Sequence, residues 1–253
     1  MKRPGLFLLL ALALLVLGCI RVPDCANPPA GETCLHILFI GNSYTFVNDL
    51  PATFAKLAQS GGHAVQVEMS AQGGWTLTDH LAAPDTSAKI SAQKWDYVVL
   101  QEQSQMPAES YWRGKTMYPA AEALVQKIRA NGSQPLFFNT WAHKNGWPEN
   151  NIPDYTSMQN QINYGYLEIA QKLDVPLALV GYAWAAVYAQ HPEITLWQED
   201  GSHPTEKGTY LAACVFYAVI YRQSPLGLDF VSSLNADEAE ILQKTAAFTV
   251  LGK

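Results

Sequence analysis

The sequence predicts an α/β fold, a three-layer α/β/α sandwich built on a five-stranded parallel sheet. Short apolar runs alternate along the chain with longer segments of helical periodicity, and this alternation is typical of a parallel sheet covered by helices on both faces. Short runs of this kind are interpreted as strands buried between the two layers of helices. The 253 residues suffice for one such domain.

The predicted domain begins near Leu35 and extends to residue 253. Its strands are predicted at Leu35–Ile40, Val65–Met69, Tyr97–Gln101, Leu136–Asn139 and Leu177–Val180. Its helices are predicted at Leu50–Ser60, Pro119–Asn131, Thr156–Leu173, Thr205–Tyr221 and Ala236–Phe248. Ligands of such sheets bind at the carboxyl ends of the strands, which places the expected site among residues 41–45, 70–76, 101–106, 140–147 and 181–203.

Residues 1–19 have the layout of a secretory signal peptide. Two basic residues precede the apolar run Leu6–Leu17 and a Gly-Cys pair, and the run is shorter than the ~20 residues that span a bilayer. Residues 16–19, Val-Leu-Gly-Cys, also resemble a bacterial lipobox. We therefore expect an exported protein, either an envelope lipoprotein anchored through an acylated Cys19 or a secreted chain from which Cys19 is removed.

A Pro/Gly-rich tether is expected over residues 20–34, between the signal peptide and the domain. It contains Cys25 and Cys34, which can pair as a disulfide in an exported protein. Cys214 lies in an apolar stretch, where a small buried side chain is a simpler interpretation than a catalytic thiol.

Charge and motif content exclude several functional classes. The net charge is −6 and no block of Lys or Arg is present, so the basic surface that binds nucleic acid is missing. The chain has no spacing of His and Cys typical of a metal site and no glycine-rich phosphate loop. The sequence therefore predicts no cofactor, no metal and no nucleic-acid partner.

Ser43 lies where the first predicted strand turns toward a helix. The strand leads into residues 41–45, Gly-Asn-Ser-Tyr-Thr. Gly41 allows a tight turn, and a helix N-terminus offers free N–H groups to a developing oxyanion. Such a turn suits a nucleophile, although a serine there can also be only a helix cap.

Asp200 and His203 can act together from one loop before the helix predicted at Thr205–Tyr221. Pro204 favours an extended conformation at His203. A carboxylate can fix the tautomer of an imidazole that removes a proton from serine. Taken alone, an Asp-x-x-His segment is just as readily a surface turn.

Together the two motifs resemble the SGNH/GDSL hydrolase superfamily. Its first block, Gly-Asp-Ser-x-(Ser/Thr), matches residues 41–45 with Asn in place of Asp, and its last block, Asp-x-x-His, matches Asp200 to His203. The resemblance covers residues 35–222 and implies a flavodoxin-like sheet. It also implies that Ser43 is the nucleophile, His203 the general base and Asp200 its partner.

The resemblance further implies an oxyanion hole. Ser43 would contribute its N–H, and Gly74 is the best match to the family's glycine after strand two, with Gly73 as the near alternative. The family's third block, Gly-x-Asn-Asp, is replaced here by Gln-Glu-Gln-Ser-Gln, which resembles a branch with a Leu-Gln-Glu-Gln-Ser motif. A glutamine amide has the same N–H₂ donor as asparagine, so Gln103 or Gln101 is expected to complete the hole.

Substrate-binding residues are predicted on the same loops. Trp75 and Trp141 follow the second and fourth strands, where indoles can stack on sugar rings, although packing is the simpler interpretation for any single tryptophan. Gln101 is predicted to contact the substrate as well. His143 and Asn145 could line the pocket, with solvation as their simpler role.

The resulting hypothesis is a serine ester hydrolase that removes short acyl groups, acetyl above all, from carbohydrate or related esters by two-step acyl transfer. One alternative is a lysophospholipase or thioesterase, which needs an apolar trough for a long acyl chain. The other is a lipid-anchored binding protein that keeps the fold without the activity.

Overall fold

The computed structural model describes residues 25–26 and 28–252. The predicted signal peptide, the lipidation site Cys19 and part of the predicted tether lie outside the described residues. Within the described residues, no helix is both long and apolar enough to cross a membrane.

The core of the fold is a five-stranded sheet in which every pair of neighbouring strands is parallel. The strand order is β2-β1-β3-β4-β5, one of the common doubly wound orders. The strands are β1 (Leu35–Gly41), β2 (Val65–Ala71), β3 (Tyr97–Leu100), β4 (Pro135–Phe138) and β5 (Leu177–Ala178). The predicted α/β fold with a parallel five-stranded sheet is confirmed.

Helices connect the strands and cover both faces of the sheet. They are α1 (Ser43–Phe46), α2 (Leu50–Ser60), α3 (Leu77–Ala82), α4 (Pro84–Ser91), α5 (Ser110–Trp112), α6 (Tyr118–Ala130), α7 (Tyr155–Leu173), α8 (Val180–Gln190), α9 (Glu206–Tyr221) and α10 (Ala236–Leu251). Helices α2, α8, α9 and α10 pack against one another in one layer, and α3, α4, α6 and α7 form the other.

Burial of β1 explains why its sequence is continuously apolar. Ile37, Leu38, Phe39 and Ile40 are all fully buried. Successive side chains of a strand point to opposite faces of the sheet, so both faces of β1 are covered by helices. Each such side chain contributes roughly 1.5 to 3 kcal/mol relative to exposure.

The main difference from the predicted elements lies after β5. This strand is two residues long, and α8 begins at Val180, inside the segment expected to be strand and then loop. Apolar residues surround the axis of α8, and such a helix shows no one-sided periodicity. Helix α3 was also missed, although Thr76 and Asp79 form a capping box at its start, a pattern visible in the sequence.

Two of the described cysteines are paired before the sheet begins. Cys25 and Cys34 form a disulfide with their Cα atoms 5.1 Å apart. Cys214 is fully buried in α9, and burial raises the pKa of its thiol. It therefore has the small apolar role expected for it.

Candidate active site

A pocket of about 440 Å³ lies at the carboxyl ends of β1 to β4. It is lined by residues 42–44, 73–74, 103–105, 143 and 202–203. These segments follow different strands, and a parallel sheet brings the loops that follow its strands to one edge. The pocket therefore collects the predicted nucleophile Ser43, the predicted base His203 and the two other predicted oxyanion residues, Gly74 and Gln103.

Ser43 begins α1 directly after the turn that ends β1. Asn42 caps this helix, because its Oδ1 accepts a hydrogen bond from the Tyr44 N–H at 3.1 Å. The Asn42 Nδ2 donates to the Trp75 carbonyl at 2.9 Å. An aspartate could not make this second contact because a carboxylate has no donor. Asn42 thus joins the nucleophile turn to the loop that carries the glycines.

Ser43, His203 and Asp200 lie in a continuous hydrogen-bonded series. The Ser43 Oγ is 2.9 Å from the His203 Nε2, and the His203 Nδ1 is 2.5 Å from the Asp200 Oδ2. With the Nδ1 proton directed at the carboxylate, the Nε2 lone pair is available to the serine hydroxyl. The geometry is that of a nucleophile, its base and an orienting carboxylate.

Asp200 remains ionised because of its local hydrogen bonds. Burial raises the pKa of this carboxyl, but the His203 side chain and the N–H groups of Ser202 and His203 donate to it and outweigh that effect, which holds the pKa at about 2. Both N–H groups lie 2.9 Å from Oδ1. A charged Asp200 can therefore stabilise an imidazolium at His203.

Three predicted oxyanion donors lie at the pocket. The N–H groups of Ser43 and Gly74 donate to no described residue, and Gly74 has a φ of +73° that favours glycine. The Gln103 side chain is held with its Oε1 accepting from the N–H groups of Gln105, at 2.7 Å, and Met106, at 3.2 Å. Its Nε2 donates to the Ser104 Oγ at 3.3 Å, which leaves one amide hydrogen for another acceptor. Gly73, the alternative to Gly74, also lines the pocket.

The predicted role of Gln101 in substrate binding does not agree with the structure. Gln101 is fully buried, and its Oε1 accepts from the Asn42 N–H at 2.8 Å and the Thr45 hydroxyl at 2.9 Å. Its Nε2 donates to the Asn42 Oδ1 at 3.0 Å. Its Nε2 also donates to the Glu102 carbonyl at 2.5 Å. The amide is therefore fully hydrogen-bonded inside the protein, mainly to the turn of Ser43, and has no donor left for a substrate.

A Cβ at Gly41 would collide with the Gln101 Oε1 and the Thr45 hydroxyl. The absence of a side chain at position 41 therefore allows Gln101 to reach the turn. This close approach, rather than a positive φ, accounts for the glycine.

Trp141 does not contact the pocket either, in contrast to the prediction. It is fully buried and stacks between Tyr44 and Trp184, with ring centroids 4.4 and 4.1 Å away. Its Nε1 donates to the Ser202 carbonyl at 2.9 Å. The indole packs against Tyr44, next to Ser43, and supports the loop of His203. It therefore stabilises the site without facing the pocket.

Trp75, which was also predicted to bind substrate, is half-buried and lies outside the residues that line the pocket. Its carbonyl accepts from Asn42, and its ring packs against His80 with centroids 5.0 Å apart. His80 is itself buried, with Nε2 2.7 Å from the Gly41 carbonyl, and burial lowers its pKa. Trp75 and His80 thus both support the turn before Ser43.

Glu102 is a buried carboxyl that sequence reasoning missed. Its Oε1 accepts from the N–H groups of Gln103, at 2.6 Å, and Leu77, at 3.2 Å, whereas its Oε2 has no partner among the described residues. Burial raises the pKa of Glu102 to about 7, although these two N–H groups lower it. Glu102 joins the end of β3 to the start of α3. Its place between two glutamines in the sequence gave no sign of this burial.

His143 lines the pocket. This is one of the two roles predicted for it, the simpler one being solvation of the loop. Its Nε2 is 3.1 Å from the Ser104 Oγ. Asn145 is exposed and does not line the pocket.

Comparisons with known proteins extend this description. No family model matches the chain, and no curated protein matches its sequence. Among solved structures, a candidate SGNH hydrolase from Slackia heliotrinireducens is 28% identical, with a TM-score of 0.64 over 74% of this chain and 100% of that one.

Two further solved structures share the fold at lower identity. A DUF4886 family protein from Bacteroides uniformis is 17% identical, with a TM-score of 0.75 over 87% of this chain and 96% of that one. A catalytic mutant of Axe2, an acetylxylan esterase from Geobacillus stearothermophilus, is 18% identical, with a TM-score of 0.57 over 75% of this chain and 94% of that one. These likenesses show the fold.

Proposed function

We propose that this chain, which shares its fold with SGNH hydrolases, is an ester hydrolase of the SGNH/GDSL-like type. We further propose that it is an exported serine esterase that removes short acyl groups, acetyl above all, from carbohydrate or related esters. The observation that carries the proposal is the series from Asp200 through His203 to Ser43, with distances of 2.5 and 2.9 Å. These distances lie within reach of direct proton transfer.

The reaction is acyl transfer in two steps. The His203 Nε2 takes the proton of Ser43 as the Ser43 Oγ attacks the ester carbonyl, and His203 then gives that proton to the departing alcohol. Water, activated by the same imidazole, hydrolyses the acyl-enzyme. Throughout, the ionised Asp200 holds the Nδ1 proton and stabilises the imidazolium.

The oxyanion of each tetrahedral intermediate would be held by the N–H groups of Ser43 and Gly74 and by the free amide hydrogen of Gln103. Preorganised donors of this kind are each worth roughly 10² to 10³ in rate. The two N–H groups that hold the Gln103 Oε1 fix the orientation of this amide, which supports its assignment as the third donor.

The character of the pocket supports a short acyl group. Apart from the ring of Tyr44, the residues that line it are polar or glycine, and none is aliphatic. A long acyl chain would need an apolar trough, so a lysophospholipase or thioesterase is less well supported. The proposal of a carbohydrate alcohol also draws on the fold shared with an acetylxylan esterase.

A silent binding protein is the remaining alternative, since the family's third-block asparagine is absent. The Gln103 amide lines the pocket instead, and the triad residues lie at hydrogen-bonding distances, which favours a catalyst.

Export is also part of the proposal, with Cys19 acylated as a membrane anchor. The Cys25–Cys34 disulfide supports export because such bonds persist in oxidising compartments.

The test is hydrolysis of p-nitrophenyl acetate, butyrate and octanoate by the purified protein and by Ser43→Ala and His203→Ala. We expect acetate to be preferred over octanoate by roughly tenfold or more, and each substitution to lower kcat by about 10⁴-fold or more because the triad acts as a unit.

Ser110→Ala is the matched control, because Ser110 is exposed and lies outside the pocket lining. Activity that survives Ser43→Ala would contradict the assignment of the nucleophile. A folded wild type with no turnover would favour the binding protein, and a preference for octanoate would favour a lipid substrate.

A further inference from the structure

The wall of the pocket carries a second group of polar side chains that the proposed mechanism uses only in part. Gln103 and Ser104 follow β3, and His143 follows β4. All three line the same pocket as Ser43. The mechanism assigns Gln103 to the oxyanion and leaves Ser104 and His143 without a role.

The orientation of the Gln103 amide fixes the direction of its hydrogen bond with Ser104. Two backbone N–H groups donate to the Gln103 Oε1, so the Nε2 of that amide must face Ser104. The Ser104 Oγ accepts from it at 3.3 Å and retains its own hydrogen to donate. The Ser104 Oγ also lies 3.1 Å from the His143 Nε2, and Ser104 interacts with the Tyr44 hydroxyl as well.

The Nδ1 of His143 is the ring nitrogen left over from this group. A neutral imidazole carries one N–H and one lone pair, so Nδ1 accepts a hydrogen bond if Nε2 donates to Ser104 and donates one if Nε2 accepts from it. Burial lowers the pKa of His143, and of the two titratable groups that act on it, Asp200 raises this pKa whereas His203 lowers it. The ring is therefore neutral at neutral pH. No described residue forms a hydrogen bond with the His143 Nδ1.

We propose that the Nδ1 of His143 forms a hydrogen bond with a hydroxyl group on the alcohol part of the substrate. A hydroxyl can donate to this nitrogen or accept from it, so either tautomer of His143 can make the contact. Together with the polar lining, this nitrogen would select esters of polyhydroxylated alcohols, such as sugars, over esters of simple alcohols. The inference rests on the proposed function and names the substrate class for the same site. An apolar alcohol bound there would leave Nδ1 without a partner, which is costly in a half-buried pocket.

The experiment compares kcat/KM for two acetyl esters, a methyl glycoside with one O-acetyl group beside a free hydroxyl, and phenyl acetate. The measured quantity is the ratio of the glycoside value to the phenyl acetate value. His143→Phe keeps a flat ring without the ring nitrogens, and we expect it to lower this ratio roughly tenfold, the effect of about one hydrogen bond. His143→Gln retains an acceptor and a donor and should recover part of the ratio, and it also serves if the Phe variant fails to fold.

His191→Phe is the matched control, since this histidine lies outside the lining of the pocket and its loss should not change the ratio. A ratio in His143→Phe within about twofold of the wild type would overturn the inference and leave the esterase intact. An equal fall for both esters would also overturn it, because His143 would then act on the acyl group they share. Absence of Ser43-dependent phenyl acetate turnover in the wild type would instead overturn the proposed function, and this inference with it.

Discussion

Asn42 shows how one side chain can fix the turn that carries the proposed nucleophile. Its Oδ1 accepts from the Tyr44 N–H and the Gln101 amide, and its Nδ2 donates to the Trp75 carbonyl. The backbone on either side is therefore fixed by hydrogen bonds to two other loops. Because Asn42 is almost fully buried, none of these contacts can be replaced by water without a cost.

Asn42→Asp tests this arrangement at a single residue. The substitution restores the residue type of the family's first block but places a carboxylate oxygen against the Trp75 carbonyl. We expect the free energy of unfolding, measured with urea, to fall by about 1 to 3 kcal/mol, and kcat on p-nitrophenyl acetate to fall as Ser43 shifts.

Asn145→Asp makes the same chemical change at an exposed position and should alter neither quantity. If Asn42→Asp were as stable and as active as the wild type, the Nδ2 contact would have no part in holding the turn.

At the scale of elements, β3 and α3 are connected by Glu102. Its carboxyl group accepts from the first N–H of α3, at Leu77, and from the N–H of Gln103, so one buried group positions both the helix and the loop that carries Gln103. Free N–H groups at a helix N-terminus commonly bind an anionic side chain. Here the side chain comes from the loop that follows β3.

The stability contributed by Glu102 should depend on pH, with a sign that follows from its raised pKa. Between the ordinary value of 4.5 and the value of about 7 in the folded protein, the unfolded chain has lost the proton that the folded protein retains. Wild-type stability therefore falls as the pH rises through this window. Glu102→Gln does not titrate, so its stability relative to wild type should increase by roughly 3 kcal/mol from pH 4.5 to pH 7.

Urea denaturation of both proteins at several pH values measures this difference. Glu149→Gln, at an exposed position, provides the control and should show no comparable trend. A stability difference between Glu102→Gln and wild type that stays flat from pH 4 to pH 8 would show that the Glu102 carboxyl is already ionised in the folded protein.

Two kinds of element could be predicted from the sequence: helices with one buried face, and short strands that are buried throughout. The strands β1 to β4 and the helices α2, α6, α7, α9 and α10 lie within a few residues of their predicted positions. Helix α8 was missed because apolar residues surround its axis, and β5 was overestimated because the apolar start of α8 follows it without a break. Periodicity carries no information in such a segment.

At the scale of the whole molecule, the site is assembled from loops that are far apart in sequence. Ser43 and His203 are 160 residues apart, and the sheet brings them together because β1 and the segment before α9 meet at one edge. These residues could be identified from the sequence because each lies in a short motif whose members have a fixed spacing along the chain. The burial of Gln101 and Trp141 could not be foreseen, because it depends on what the rest of the fold places over them.

Export is a property of the whole molecule and can be tested on the mature protein. We expect the protein purified from the membrane fraction of a bacterial host to begin at Cys19 and to carry acyl chains, because residues 16–19 resemble a lipobox. Mass spectrometry of the N-terminal peptide measures both features. A mature chain that lacks Cys19 would indicate simple secretion, and a chain that retains residues 1–18 would contradict export.

The close approach of Gly41 and Gln101 also bears on how this site can diverge. The Gln101 amide fits only because position 41 has no side chain, and it holds Asn42 through both of its ends. A substitution at any one of these three positions leaves the other two mismatched, so we expect them to be inherited as a set. The glutamine-rich segment after β3 then belongs to an alternative way of supporting the turn of Ser43. Homologues that share it should be recognisable by Gly41, Asn42 and Gln101 together.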